Sequence, residues 1–173
     1  ADHGDDIGRA AEHAYRTLFA FLAGQPEGQH VQRLWNYLDR INDGEGDAER
    51  YKHFCDGRLR GMGEAFADGF PAATAIGQPQ ADGQLTVYCL ASTHPGTRIE
   101  NPRQMSAWRY PRQYGRTPPS FARAMRLPTG DALAISGTAA ITGHESRHED
   151  DLEAQLQELA ANLDALLDNG GMP

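Results

Sequence analysis

Arginine carries almost all of the positive charge in this chain, and it is concentrated in one segment. Fifteen of the sixteen basic residues are arginine, and in the segment 98–126 the only acid is Glu100. The arginines of this segment are Arg98, Arg103, Arg109, Arg112, Arg116, Arg123 and Arg126. A guanidinium group binds a carboxylate through two parallel hydrogen bonds. The segment therefore indicates a site for a planar dicarboxylate; the alternatives are a solvated basic loop or salt bridges to acidic helices.

Aromatic side chains accompany these arginines. Tyr110 and Tyr114 lie near Trp108 in the same segment. A phenol hydroxyl at this place either hydrogen-bonds a ligand carboxylate or relays a proton. The alternative is that the rings only pack against their neighbours.

Two histidines four residues apart, His144 and His148, are each followed by a glutamate. This order differs from the HExxH motif of zinc-binding helices, so the pattern argues against a metal site. General acid or base chemistry by His144 or Glu145 is a second alternative. A polar turn before the last helix is the interpretation that the pattern favours.

Small residues fill the run 137–140, Gly-Thr-Ala-Ala. The run matches neither the GxxxxGK nor the GxGxxG phosphate-binding motif, so it predicts tight packing or the floor of a pocket. The chain has no GxSxG nucleophile motif. Cys55 and Cys89 lack CxxC spacing, and we expect them to be reduced thiols that bind no metal.

Length and charge narrow the class of partner. The chain has 173 residues, enough for one well-buried domain or two interlocked halves. Its net charge of −8 argues against nucleic acids and membrane surfaces, because both attract clustered positive charge. No run approaches the roughly 18 apolar residues of a membrane span, and the first ten residues do not resemble a signal peptide. We therefore expect a cytoplasmic protein with a small-molecule ligand.

The spacing of apolar residues predicts the order αβαββ for the first half of the chain. Helical spacing predicts two amphipathic helices, the second stopped by Gly69 and Pro71. Alternation predicts three strands, the first of them buried on both faces. The predicted elements are helices over 7–23 and 48–66 and strands over 31–38, 72–77 and 85–91.

The second half begins with a connection over 92–119 that is rich in proline, glycine and arginine. Connections of this length are often functional, and we predict one strand within it, near 104–110. Two paired strands follow, over 121–127 and 132–135. A leucine-rich helix then begins near residue 152, with Asp150 or Asp151 as its N-cap, and ends at Asn169, Gly170 and Gly171.

Five sequence phrases, taken in order, resemble the chorismatase and 3-hydroxybenzoate synthase family. They are RLWNYLDRIN, RYKHFCDGR, FPAATAIG, IENPRQMSAWRYPRQYGRTPPSFARA and ISGTAAITGHESRHEDD. The resemblance covers nearly the whole chain. It implies an α+β fold: a RidA/YjgF-like (chorismate mutase-like) mixed sheet with helices packed on one face, repeated in two tandem modules.

The resemblance also implies how the chain maps onto these modules. Residues 1–97 correspond to the second part of a first RidA-like module, and 98–173 to the first part of a second. The closing strands of the second module, which hold the family's catalytic glutamate, have no counterpart, so the catalytic residue is unknown. The implied substrate-binding residues are Tyr110 of the xYP motif, Arg123 of the FARA motif and Gly137 of the ISxTA motif.

The activity implied by the resemblance is removal of pyruvate from chorismate, to give 3-hydroxybenzoate, with no cofactor and no metal. Arginine and tyrosine groups would hold the two carboxylates while a carboxylic acid protonates the enol ether or steers its rearrangement. The alternative is a non-catalytic RidA-like module that binds a small carboxylate or a protein partner.

Two further expectations come from the same resemblance. Imine hydrolysis of the RidA type is disfavoured, because Pro71, Ala72 and Ala73 stand where that family has its PAR arginine motif. A homo-oligomer or pseudo-trimer is expected, because RidA-like sheets bury one face between subunits.

Overall fold

The computed structural model describes residues 5–27, 29–79 and 83–172, and over these residues the fold is a mixed α+β one with three helices and three small sheets. The helices are α1 (Ile7–Ala23), α2 (Arg50–Met62) and α3 (Leu152–Asn169). The strands are β1 (His30–Leu38), β2 (Ala72–Gly77), β3 (Leu85–Ser92), β4 (Thr97–Ile99), β5 (Ala124–Arg126), β6 (Leu133–Ile135), β7 (Ile141–Thr142) and β8 (Glu145–Ser146). The predicted order αβαββ is confirmed.

The first sheet has the order β2-β1-β3, with β1 parallel to β2 and antiparallel to β3. Leu34 and Leu38 of β1 are fully buried in one core with side chains of α1 and α2. On the opposite face Arg33, Trp35 and Tyr37 remain half-exposed. The prediction that both faces of β1 are buried is therefore wrong for one face, because α1 and α2 both pack on the other.

Glycines allow α1 and α2 to pack closely. A Cβ atom at Gly57 would lie 1.9 Å from the carbonyl oxygen of Gly8, so only glycine fits between the two helix backbones. Glycine lowers helix propensity by roughly 1 kcal/mol relative to alanine, and the close packing it permits offsets this. The predicted end of α2 is too late, because Gly63 takes a positive φ of 52° directly after Met62.

The second sheet has the order β4-β5-β6 and joins the edge of the first at β2. Ala72 forms a parallel bridge to Ala122, and the Ala73 N–H donates to Ser136 Oγ at 2.8 Å. The prediction of paired strands over 121–127 and 132–135 is confirmed with shorter strands. These contacts bring the end of β6 next to β2.

The strand predicted near 104–110 is wrong. The segment instead forms a short 3₁₀ helix over Ala107–Arg109, and only Gln104 makes a single β-bridge, to Gly143. Pro111 has no N–H to extend a ladder, and the Arg109 N–H turns back to the Ser106 carbonyl at 2.9 Å. The segment 104–110 is therefore a folded loop and not a strand.

Helix α3 begins and ends as predicted. The Asp151 carboxylate accepts the Ala154 N–H at 3.0 Å as N-cap, and Gly170 is the C-cap. The helix buries Asn162 and Leu166, whereas Leu152 and Leu156 are exposed. None of the helices in the described ranges is long and apolar enough to cross a membrane.

Candidate functional site

Arg123 directly precedes β5, the middle strand of the second sheet, and only 4% of the residue is exposed. Its Nη2 donates to the Met105 carbonyl at 2.7 Å and to the Tyr110 hydroxyl at 2.8 Å. The guanidinium also lies over the rings of Tyr110 and Phe121, at 5.7 and 5.4 Å. The structure therefore brings together two of the three residues that the resemblance implied.

The guanidinium of Arg123 forms no ion pair with any carboxylate in the part of the chain that the structure describes. Its Nε is buried and has no hydrogen-bond partner. A buried cation that no carboxylate contacts directly is costly, so the arrangement suits an anionic ligand.

Glu100 is the one acid of the segment 98–126, and its carboxylate accepts the backbone N–H of Arg123 at 3.3 Å. Burial raises the pKa of Glu100, and hydrogen bonds from Ser106 and from the Arg123 backbone, together with the positive charge of Arg123, offset part of that rise. Glu100 Oε2 is buried and unpaired. The carboxyl group thus holds the β5 backbone and does not occupy the guanidinium of Arg123.

Gly137, the third implied residue, follows β6 directly. Its N–H donates to Thr74 Oγ1 at 2.9 Å, and the preceding Ser136 N–H donates to the Arg123 carbonyl at 2.9 Å. A Cβ atom at Gly137 would lie 3.2 Å from Thr74 Cγ2, a contact that would push the threonine side chain. Gly137 therefore lies between the backbone at Arg123, just before β5, and the edge of the first sheet.

Helix α3 fixes the loops that carry this site, a role that sequence reasoning missed. The fully buried Asn162 donates to the carbonyls of Ala139 and Ile141, at 3.0 and 2.9 Å, and accepts from Arg103 Nε at 3.0 Å. One helix thus holds both the 139–141 segment and the loop at Arg103. An asparagine in the middle of a leucine-rich helix was the available signal.

Most of the other arginines in the segment are engaged in salt bridges or backbone contacts, as one alternative expected. Arg112 binds Asp47 through two hydrogen bonds of 3.0 and 2.7 Å, and Arg116 lies near the same acid. Arg103 pairs with Glu158, while Arg126 donates to the Gly170 carbonyl. The buried Arg123 is therefore the best candidate in this segment to bind a ligand carboxylate.

The two histidines have separate roles. His144 Nδ1 lies 3.1 Å from the Tyr114 hydroxyl, and the Tyr114 ring in turn contacts Tyr110 with centroids 5.4 Å apart. His148 Nε2 lies 3.6 Å from Glu158. Across residues 5–27, 29–79 and 83–172, no group of three or more His, Cys, Asp or Glu side chains is arranged to hold a metal ion.

Two clefts open near these residues. One, of about 650 Å³, is lined by residues of the 102–109 loop and by Gly143, and it borders Met105, which binds Arg123. The other, of about 480 Å³, lies between the end of α1 and β4, and neither cleft is lined directly by Tyr110, Arg123 or Gly137. We place the candidate site beside the first cleft, because its wall carries a direct contact to Arg123.

Relatives with this sequence pattern are chorismate-processing proteins. The chain is 38% identical to a 3-hydroxybenzoate synthase of Streptomyces hygroscopicus over 94% of its length, which is 50% of that protein. It is 40% identical to a chorismatase of Streptomyces hygroscopicus over 77% of its length, which is 40% of that protein. The chain thus spans half or less of the length of these curated relatives.

A solved structure shows the same fold. The crystal structure of a chorismatase superposes with a TM-score of 0.83 at 32% identity, covering 96% of this chain and 52% of the other. A family model described as the N-terminal part of FkbO/Hyg5-like chorismatases matches residues 1–91, more than half of the chain. From this match and the shared fold, the chain belongs to the FkbO/Hyg5-like chorismatase family.

Proposed function

We propose that this chain belongs to an enzyme that removes pyruvate from chorismate and releases 3-hydroxybenzoate. The observation that carries the proposal is the buried Arg123 guanidinium, which contacts Tyr110 and has no acidic partner among the described residues. Chorismate carries two carboxylates, and a buried guanidinium beside a phenol hydroxyl is suited to bind one of them.

Gly137 supports the aromatic product within this proposal. In the proposed reaction the oxygen of the ring hydroxyl attacks the neighbouring ring carbon that carries the enolpyruvyl ether. The bond between this carbon and the ether oxygen breaks. The hydroxyl proton passes to the enolpyruvyl group, which leaves as pyruvate. The epoxide that remains on the ring opens at its original C–O bond, and the proton of the attacked carbon is transferred to the oxygen, which gives the phenol. No water is consumed, and the missing methyl at Gly137 leaves space for the ring to shift.

The arrangement in modules is also part of the proposal. We infer that 1–97 and 98–173 are portions of two RidA/YjgF-like modules. In support, β1 to β3 form one sheet, and β4 to β6 form another that meets the first at its β2 edge. We also propose that the protein is located in the cytoplasm, and cell fractionation tests this location.

Product analysis tests the proposed function. A form of the protein that also carries the closing strands of the second module is incubated with chorismate, pyruvate is followed with lactate dehydrogenase, and the ring product is identified by chromatography. We expect pyruvate and 3-hydroxybenzoate in equal amounts. Chorismate binding without pyruvate release would instead support the non-catalytic module, and the absence of binding would refute the proposal.

A further inference from the structure

A second arginine lies on the other side of Gly137. Arg33 is on β1, on the sheet face that α1 and α2 leave uncovered, and its guanidinium stacks 4.8 Å from the centroid of the Trp35 ring. Its Nη2 donates at 2.8 Å to Thr74 Oγ1, the same oxygen that accepts the Gly137 N–H. Arg33, Thr74 and Gly137 therefore form one continuous polar contact.

The charge of Arg33 is unpaired. None of the ion pairs between described residues includes it, and its Nη1 is buried without a hydrogen-bond partner. Burial lowers the pKa of Arg33. A buried donor left without a partner is costly, and a carboxylate that accepted this N–H would remove that cost.

Two arginines that form no ion pair among the described residues are therefore linked to Gly137 or its neighbour from two different sheets. The backbone carbonyl of Arg123, just before β5, accepts the N–H of Ser136, and the Arg33 guanidinium binds Thr74 of β2, which accepts the Gly137 N–H. The Arg33 side chain is only half-buried, so a small rotation exposes Nη1 to a ligand. A dicarboxylate requires two cationic groups, and a monocarboxylate requires one.

We propose that Arg33 is the second carboxylate-binding group of the site and selects dicarboxylates over monocarboxylates. This inference rests on the proposed function, and it means that the first sheet contributes a residue, Arg33, to ligand binding. Gly137 would then also help to position Arg33, because a larger residue at 137 would push Thr74, the hydrogen-bond partner of Arg33.

A matched pair of inert ligands tests the proposal. 3-(Carboxymethoxy)benzoate carries the second carboxylate and 3-methoxybenzoate lacks it. Calorimetry with the full chain should give binding of the dicarboxylate at least roughly tenfold tighter than that of the monocarboxylate. Arg33→Gln should abolish this difference by weakening only the dicarboxylate, while Arg123→Gln weakens both. Arg98→Gln, a change to an exposed arginine on β4, is the control and should alter neither.

Trp35 provides a second measurement that does not depend on affinity alone. In a Trp108→Phe background Trp35 is the single tryptophan, and its fluorescence should change with the dicarboxylate and not with the monocarboxylate. Arg33→Lys keeps the charge and should retain part of the tenfold difference if Arg33→Gln unfolds the chain.

The outcomes separate this inference from the proposed function. An unchanged preference for the dicarboxylate in Arg33→Gln, with chorismate still bound through Arg123, would refute the role of Arg33 alone. A chain that binds neither chorismate nor the dicarboxylate would refute the proposed function and this inference together.

Discussion

At the scale of single residues, the electrostatics of the site depend on what surrounds Arg123. The guanidinium is buried, contacts two aromatic rings and donates to two oxygens that carry no formal charge. Neutral acceptors only partly replace the hydration that burial removes. A ligand carboxylate would therefore gain more here than at the exposed Arg112 or Arg116, which already have aspartate partners.

Replacement of Arg123 should weaken chorismate binding strongly. We expect Arg123→Ala to cost roughly 2 to 4 kcal/mol of binding free energy, the range for leaving one side of a buried charge pair unmatched. Tyr110→Phe should cost less, about 0.5 to 1.5 kcal/mol, because it removes one hydrogen bond and keeps the ring. Calorimetry measures both, with Arg116→Ala as the control. Equal losses for Arg116 and Arg123 would indicate a diffuse basic patch.

Replacement of Gly137 should change the product. An added methyl would lie 3.2 Å from Thr74 Cγ2, so it narrows the space in which the ring shifts. We expect Gly137→Ala to move chorismate turnover from 3-hydroxybenzoate toward the non-aromatic dihydrodiol formed with added water. Chromatography of the ring products checks this. The dihydrodiol as the main product of the unmutated protein would contradict the argument.

The residues of the site differ in how far sequence alone could identify them. Tyr110, Arg123 and Gly137 lie in recognisable motifs, so the resemblance supplied them. Met105 binds Arg123 through its backbone carbonyl. Any residue type could make this contact, so the sequence gives no signal for it. Thr74 and Arg33 are distant from the arginine-rich segment in sequence, and only the pairing of β1 with β2 brings them to Gly137.

At the scale of elements, an ion-pair network joins the end of β1 to the start of α2. The Asp39 carboxylate accepts from Arg50 Nη2 at 2.7 Å and from Arg40 Nε at 3.1 Å, and it also accepts the Gly83 N–H at 3.1 Å. Burial by itself raises the pKa of Asp39, but these hydrogen bonds outweigh it and hold the pKa below its ordinary value.

The stability of the chain should therefore depend on Asp39 and on pH. Because the folded pKa lies below the unfolded value of about 3.9, the stabilisation is complete well above pH 4 and is lost as pH falls through the folded pKa. Asp39→Asn should lower the free energy of unfolding at pH 7 by about 2 kcal/mol, since it leaves buried Arg50 with the exposed Asp5 as its remaining acidic partner among the described residues. It should also reduce the dependence of that free energy on acid pH.

Urea titrations between pH 3 and pH 7 measure both effects. Asp47→Asn is the control, because the Asp47 pair with Arg112 is at the surface and should contribute much less. If the two variants lose equal free energy of unfolding at pH 7, burial does not increase the contribution of the Asp39 ion pairs to stability.

Elements with one strong periodic signal could be predicted well, and those set by tertiary contact could not. The bounds of α1 and β2 match the prediction, since glycine and proline mark their ends. The strand predicted near 104–110 failed because that segment is held by Gly143 and Arg123. Hairpin β7–β8 and strand β4 are two or three residues long, too short for any period to show.

At the scale of the whole molecule, the first sheet leaves one face uncovered. Among the large apolar side chains most exposed in the described part of the chain are Ile76 of β2 and Tyr88 and Leu90 of β3. Tyr37 and Tyr88 contact each other across the strands, with ring centroids 5.9 Å apart. Contiguous exposed apolar patches of this kind mark interaction surfaces.

The chain should therefore associate through this sheet face at micromolar concentration. Multi-angle light scattering is expected to give a mass of two or three copies. Tyr88→Glu places a charge in the centre of the face and should shift the distribution to monomer, because an unpaired charge buried in an apolar contact is costly.

Phe21 offers the matched control for this prediction. It is 64% exposed, close to the 59% of Tyr88, but it lies on α1 in the helical layer that covers the opposite face of the sheet. Phe21→Glu should leave the mass unchanged if association uses the sheet. Loss of association in both variants would indicate nonspecific hydrophobic contact. A monomeric unmutated chain would contradict the prediction, because the sheet face would then stay in contact with water.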